Sequence, residues 1–299
     1  MTRLAALPLM LALTGVLTAA QTPGPDAQPP TFKAGVDLVS VSVVVNNHNG
    51  RPVTGLSRKD FELFDSGLVR DIADFRSDTT PISVLVLLDT SGSMHIGGKW
   101  SGARGAVTAI AAELERGRDR IALFAFDSSL HVIQPFTTSP SDVVDALDKV
   151  QPWGSTALFD AVAQAGTELA AEGASRRAIV VITDGIDTRS RLDAIKVSAA
   201  ASAIDVPVYS FVVSAPPDQQ LNDLSRWTGG AMFVSGTPLE TSAAVRQIVT
   251  ELRHQYVMTF ESGTPAGWHP LLVRVHEGNN FVVRMRSGYV AGPRSSGRF

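Results

Sequence analysis

Val84-Leu85-Val86-Leu87-Leu88 is an unbroken apolar run that ends on Asp89. With no polar alternation it predicts a strand buried on both faces, in the middle of a parallel sheet. Ala178 to Thr183 ends on Asp184 in the same manner, and Ile121 to Phe126 and Val206 to Val213 supply further strands. Leu130 to Gln134 reads as an edge strand and Ala231 to Val234 as a last one. Between these runs apolar residues recur at helical spacing. Ala103, Val107, Ile110 and Leu114 share one face, with Gly117 as the expected terminator. Ser139-Pro140-Ser141-Asp142 has the form of a capping box with Pro at the first helical position, ahead of Val143, Leu147 and Val150. Leu158, Val162, Ala165 and Leu169 mark the next helix, and Leu192, Ile195 and Ala199 another. Leu221 and Leu224 predict a short helix closed by Gly229-Gly230, and Val245, Ile248 and Leu252 a last one. Strands and helices in alternation predict an α/β fold over 81–254, a doubly wound, mostly parallel sheet.

The flanks have a different period. Val39, Val41, Val43 and Val45 alternate with Ser40, Ser42 and Val44, as on a half-buried strand, and Asn49-Gly50 supplies a hairpin turn. Phe61 to Phe64 meets a second turn at Asp65-Ser66-Gly67, and Val69 to Phe75 continue strand-like. β character returns at Tyr256 to Phe260, Leu271 to Val275 and Phe281 to Arg286. Each flank, 32–80 and 255–290, is too short to enclose a core. The economical arrangement is one small β-sandwich built from both, with the α/β segment inserted between them.

Composition narrows the possibilities. At 299 residues, 44% hydrophobic and 18% charged, the chain is long enough for one large unit and a smaller one. A formal net charge of −3, with no Lys/Arg cluster, argues against nucleic acid as a partner. There is no cysteine, which excludes disulfides, thiolate metal sites, cysteine nucleophiles and a lipidated N-terminal Cys. Residues 1–20 read as a cleavable signal peptide: Arg3, an apolar stretch Leu4 to Leu17 broken by Pro8, then Thr18-Ala19-Ala20. No other segment is apolar enough to cross a bilayer, so a secreted or periplasmic protein without a transmembrane segment is expected. Pro23, Pro25, Pro29 and Pro30 make 21–31 an extended linker, and 291–299 reads as a disordered tail.

The chemistry gathers where the first buried run stops. Asp89, Ser91 and Ser93 alternate through a Gly-containing loop at a strand's carboxyl end, where open α/β sheets place their ligands. All are hard oxygen donors, which suits Mg²⁺ or Ca²⁺ and not Zn²⁺ or copper. This Asp-x-Ser-x-Ser resembles the von Willebrand factor A domain, in which it opens a metal-ion-dependent adhesion site completed by a distant Thr and a distant Asp. Thr156, in Gly154-Ser155-Thr156-Ala157-Leu158, and Asp184, in Val181-Ile182-Thr183-Asp184-Gly185, match those positions in order. The stretch VSVVVNNHNGRPVTGLSRKDFELFDSG and the ending FVVRMRSGY also resemble a group of secreted bacterial von Willebrand factor A-related proteins. The resemblance implies a Rossmann-like sheet and a bound Mg²⁺, with Mn²⁺ or Ca²⁺ as substitutes. It further implies that Ser91, Ser93 and Thr156 ligate directly while Asp89 and Asp184 hold bound waters.

Neutral hydroxyls would leave most of the +2 charge uncompensated, so the ion would draw an Asp or Glu carboxylate from a partner protein. An adhesion-type binding module is therefore expected, not an enzyme. A structural spacer with a stabilising metal is the alternative, and a metal-dependent hydrolase a more distant one. A phosphoryl-transfer use of Asp89 would want an acid where Ser91 stands. There is no G-x-S-x-G elbow, and Gly97-Gly98-Lys99 lacks the glycine spacing of a Walker loop. The same residues have plainer uses. Ser91, Ser93 and Thr156 are good helix caps, and Asp184-Gly185 is a good turn. Asp160 reads as a helix-start charge, Asp127 and Asp187 as rim acids, and His95 as a solvated loop residue. Trp100 and Trp153 would serve either as rim contacts or as packing.

Overall fold

The computed structural model describes residues 37–77, 80–172, 176–197, 206–262, 266–276 and 281–291. The segments read from sequence as a signal peptide, a Pro-rich linker and, but for residue 291, a disordered tail lie outside the described residues. In chain order the strands are β1 (Asp37–Asn47), β2 (Phe61–Asp65), β3 (Leu68–Arg70), β4 (Ile72–Arg76), β5 (Ile82–Asp89), β6 (Arg120–Phe126), β7 (Leu130–Thr137) and β8 (Arg176–Thr183). They continue with β9 (Val208–Val213), β10 (Met232–Ser235), β11 (Tyr256–Ser262), β12 (Gly267–Val275), β13 (Phe281–Arg284) and β14 (Gly288–Ala291). The helices are α1 (Lys99–Glu113), α2 (Pro140–Leu147), α3 (Leu158–Ala170), α4 (Gln219–Thr228) and α5 (Pro238–Arg253), and 194–197 are also helical.

β5 is the centre of a sheet ordered β10-β9-β8-β5-β6-β7, in which only the edge strand β7 runs antiparallel. All eight residues of β5 are buried, as an uninterrupted apolar run requires. Its alternate side chains feed two cores. Val84, Val86 and Leu88 pack with α1, α2 and α5, while Leu85 and Leu87 pack with α3, α4 and the 194–197 turn. Helices therefore cover both faces, the doubly wound α/β arrangement expected.

The flanking strands form two antiparallel sheets, β13-β1-β11-β4 and β14-β12-β2-β3. N- and C-terminal strands pair directly, β1 with β11 and β13, and β2 with β12. Val41, Val43, Leu63, Met258, Phe260 and Val273 meet in one shared core between the sheets. At the end of β1 the alternation fails because Val44 and Asn46 are buried as well. They lie on the side of the strand away from that core, and Asn46 donates to Glu251 of α5. Glu251 also accepts from Gln247 and pairs with Arg284 of β13, so a fully buried carboxylate joins the last helix to the sandwich.

Several local expectations need correction. Ser139 and Asp142 form no capping box; Pro140 does begin α2, but the Ser139 hydroxyl meets Ser141 while Asp142 accepts from Thr137. Gly117 does not end α1, which stops at Glu113 with Leu114 extended. In the 194–197 turn Ala194 and Val197 are buried, whereas Ile195 is 68% exposed, and Ala199 lies outside the described residues. After Asn49-Gly50 the chain returns through a single bridge, Asn46 to Pro52, not a second strand. Residues 69–75 do not run as one strand but divide between β3 and β4, which belong to different sheets.

Candidate metal centre

β5 and β8 are neighbours, so the carboxyl ends of both strands open at one mouth. Asp89, the last residue of β5, is buried. Its Oδ2 accepts from the Thr183 hydroxyl of β8 at 2.6 Å, and its Oδ1 accepts from the Ser91 amide at 2.8 Å. Burial pushes the Asp89 carboxyl up to about 6, against the lowering pull of Thr183 and Ser91; the Asp184 carboxylate nearby adds to the rise. Ser91 precedes the 3-10 turn Gly92–His95, yet its side chain makes no capping bond. Its Oγ lies 3.0 Å from Ser93 Oγ instead, so these hydroxyls face each other and leave the helical turn uncapped.

The Thr156 loop is drawn against this one by backbone contacts. The Gly92 amide donates to Gly154 O at 2.9 Å and the Trp153 amide to Thr90 O at 2.5 Å. Gly154 has φ of 102°, and a Cβ there would meet the Asp127 side chain at 3.2 Å, so glycine permits the approach. Thr156 is buried but is not the cap of α3, which starts at Leu158 after Ala157. Its backbone is pinned from the other side. Its carbonyl accepts from the Thr188 and Arg189 amides at 3.0 and 2.8 Å, and its amide donates to Thr188 Oγ1 at 3.1 Å.

Asp184 follows β8, with Gly185 at φ 87° and the Ile186 amide donating to Asp184 Oδ1 at 3.3 Å, so the turn expected here is present. The other oxygen takes a contact that the sequence pattern did not anticipate. Lys99 Nζ lies 2.9 Å from Asp184 Oδ2, with side-chain exposures of 16% and 0%. Asp89, Ser91, Ser93, Thr156 and Asp184 thus occupy loops joined at one mouth. Among the described residues no three His, Cys, Asp or Glu side chains gather as a metal-binding group. A cation here would depend on hydroxyls as much as on carboxylates.

The surrounding residues divide by role. Asp160 accepts from the Leu192 and Arg191 amides, and although burial works the other way, those bonds hold its carboxyl below the usual range; it ties α3 to the loop after β8. Asp187 likewise accepts from the Ser190 amide at 3.2 Å, and Asp127 from the Ser129 amide at 2.8 Å, so both organise loops. The His95 ring contacts Pro152 O at 2.8 Å. Trp153 is 82% exposed at the rim, beside a cavity of about 510 Å³ lined by Thr90, Asp127, His131, Val132 and Lys149, whereas Trp100 packs against the α1 core. Reading by motif missed Thr183, Thr188 and Lys99. A hydroxyl closing an apolar run, and a basic residue at a helix start where the dipole disfavours it, were the available signals.

A Ser-His-Asp grouping does occur in the sandwich. Ser66 Oγ lies 3.0 Å from His269 Nδ1, and Asp65 Oδ1 lies 3.4 Å from the same nitrogen. A relay needs Ser and Asp on opposite ring nitrogens. With both on Nδ1, the group is a polar brace, which Asp65 extends to the Tyr289 hydroxyl at 3.2 Å and to Arg70 at 3.3 Å.

Residues 84–186, which include Asp89, Ser91, Ser93, Thr156 and Asp184, match the family model of the von Willebrand factor type A domain. No curated protein matches the sequence. Among solved structures the fold is similar to a von Willebrand factor type A protein from Catenulispora acidiphila, 13% identical, over 89% of this chain and 76% of that one, with a TM-score of 0.52. It is similar also to proximal thread matrix protein 1 from the mussel byssus, in a form whose MIDAS motif is occupied by zinc. That match is 15% identical, covers 63% of this chain and 49% of that one, and has a TM-score of 0.52. At such identities the structural likeness is one of fold, and the sequence match is confined to residues 84–186. Residues 84–186 thus carry the sequence match to the von Willebrand factor type A domain, and the fold they belong to is similar to that of a solved protein of this type.

Proposed function

We propose that this protein is an exported binding module that grips a partner protein through a divalent cation at the β5–β8 mouth. Ser91, Ser93 and Thr156 would hold the ion with Asp89 and Asp184, and the ion would supply an electrophilic point for an Asp or Glu carboxylate of the partner. Mg²⁺ is the cation that hard oxygen donors favour, with Mn²⁺ or Ca²⁺ as substitutes. The observation that carries the reading is the pairing of Ser91 and Ser93 hydroxyls at 3.0 Å beside a buried Asp89, with neither serine spent on a helix cap. Buried carboxylates with so few cationic partners fit a cation, because ionised acids are otherwise expensive to desolvate. The exposed Trp153 supplies an aromatic contact at the rim of such an interface.

Calorimetric titration of the protein with Mg²⁺ tests this. One site is expected, lost in Asp89→Ala and in Thr156→Ala; binding heats that survive both substitutions count against the reading. A second reading, a spacer whose metal only stiffens loops, is favoured by the buried Glu251 network that ties the last helix to the sandwich. Capture of exported proteins with and without chelator separates the two. Partners released by chelation support gripping, and partners retained equally support the spacer.

A further inference from the structure

Lys99 is the first residue of α1, preceded by Gly97 and Gly98 at φ 66° and 76°. A cation at a helix N-terminus opposes the dipole. Nothing about the helix therefore favours lysine at this position. Its side chain instead lies largely buried in the mouth, with Nζ 2.9 Å from Asp184 Oδ2, and the carboxylate it meets is fully buried. The consecutive left-handed glycines turn the chain so that α1 begins beside the ends of β5 and β8. Among the described residues, the Lys99 ammonium thus meets the buried acid pair Asp89 and Asp184 at the strand ends, with Asp127 and Lys149 further out at the rim.

We infer that Lys99 is a built-in counter-ion which trades affinity for the metal against affinity for the metal's anionic ligand. The inference rests on the metal reading proposed above and assigns a role to a residue outside the Asp-x-Ser-x-Ser set. The charge balance carries it. With Asp89 and Asp184 ionised and no lysine, a divalent cation brings the mouth to neutrality. With Lys99 present the loaded mouth keeps a net charge of +1. Repulsion between the ammonium and the cation weakens metal binding, and the residual positive charge strengthens the hold on an incoming carboxylate. Before the metal enters, the same ammonium compensates Asp184, which would otherwise be a buried unpaired charge. Lys99 is thus a positioning and charge-setting residue, not a ligand.

The test uses the full chain and its Lys99→Met, Lys99→Gln and Lys99→Arg variants. Mg²⁺ affinity is measured by calorimetry, and acetate binding at saturating Mg²⁺ by amide NMR shifts of the mouth loops. The neutral variants should bind Mg²⁺ about tenfold tighter or more and acetate more weakly, while Lys99→Arg stays within about twofold of the parent. Lys99→Met should also melt at lower temperature in chelator and gain more from added Mg²⁺ than the parent does. If the methionine variant fails to fold, Lys99→Gln, which can still hydrogen-bond Asp184, carries the comparison. Equal or weaker Mg²⁺ binding by the neutral variants, with binding by the parent intact, overturns the role of Lys99 and leaves the metal reading standing. Absence of Mg²⁺ binding by the parent and by every variant overturns both.

Discussion

The Thr183 hydroxyl donates to Asp89 Oδ2 at 2.6 Å, from the end of β8 to the end of β5. It also accepts from the Gly185 amide at 3.0 Å, so one side chain orients the buried acid and the turn that presents Asp184. Thr183→Val keeps the shape and removes both bonds. Leaving a buried carboxylate short of a donor should lower stability by about 1–3 kcal/mol. Urea unfolding in chelator measures it, and a change well under about 0.5 kcal/mol would show that the hydroxyl is not the support described.

The Asp89 carboxyl, raised from 3.8 to about 6, implies a definite pH dependence. Because the folded pKa is the higher one, the folded state binds the extra proton between pH 4 and 6. Metal-free stability contributed by this group is therefore full at low pH and falls as pH rises, by up to roughly 3 kcal/mol above pH 6. Asp60, Asp160, Asp193 and Glu240 are shifted downward and act in the opposite sense, so the comparison must be with Asp89→Asn. The stability of Asp89→Asn relative to the parent should rise between pH 4 and 7 in chelator. A gap independent of pH would contradict the burial of an ionisable Asp89. Mg²⁺ affinity should run the other way and weaken below about pH 6, as the proton competes with the ion for Asp89.

Glu251 anchors α5 to the sandwich through Asn46 at 2.9 Å, Gln247 at 3.1 Å and Arg284. Glu251→Ala leaves Arg284 without its carboxylate in a buried setting and should cost about 3–5 kcal/mol. Near-UV circular dichroism during thermal melting checks it. An unchanged midpoint would mean that the network adds nothing to the joint between α5 and the sandwich.

Gly229 ends α4 at φ 88°, and a Cβ there would lie 2.7 Å from Met285 C and 2.9 Å from Arg286 N. Both contacts are with backbone, and the same segment is tied down by the Ser287 amide donating to Trp227 O at 2.8 Å. Gly229→Ala should therefore destabilise by more than the roughly 1 kcal/mol that a left-handed alanine costs alone. Gly67, also left-handed but with open space around it, is the control and should lose less on the same substitution.

Chelation should lower the melting temperature of the parent and leave that of Thr156→Ala unaffected. Differential scanning with Mg²⁺ and with chelator compares them. An equal response from both would remove Thr156 from the metal's surroundings.

Much of this molecule is written in local pattern. An apolar run without polar interruption has one stable environment, a strand covered on both faces, and β5 and β8 both occupy it. The oxygen donors at the ends of those runs were legible because they stand where an open α/β sheet exposes its loops. Tertiary structure decided the rest, for reasons of range and charge. Nothing local distinguishes the buried Asn46 from an exposed strand position; the partner that its amide finds, Glu251, stands 205 residues further along the chain. Nothing in Gly97-Gly98-Lys99 says that the ammonium will find Asp184, because that pairing exists only when β5 and β8 lie side by side. Periodicity specifies which faces are buried; which charges meet depends on the strand order that brings distant loops to one edge of the sheet.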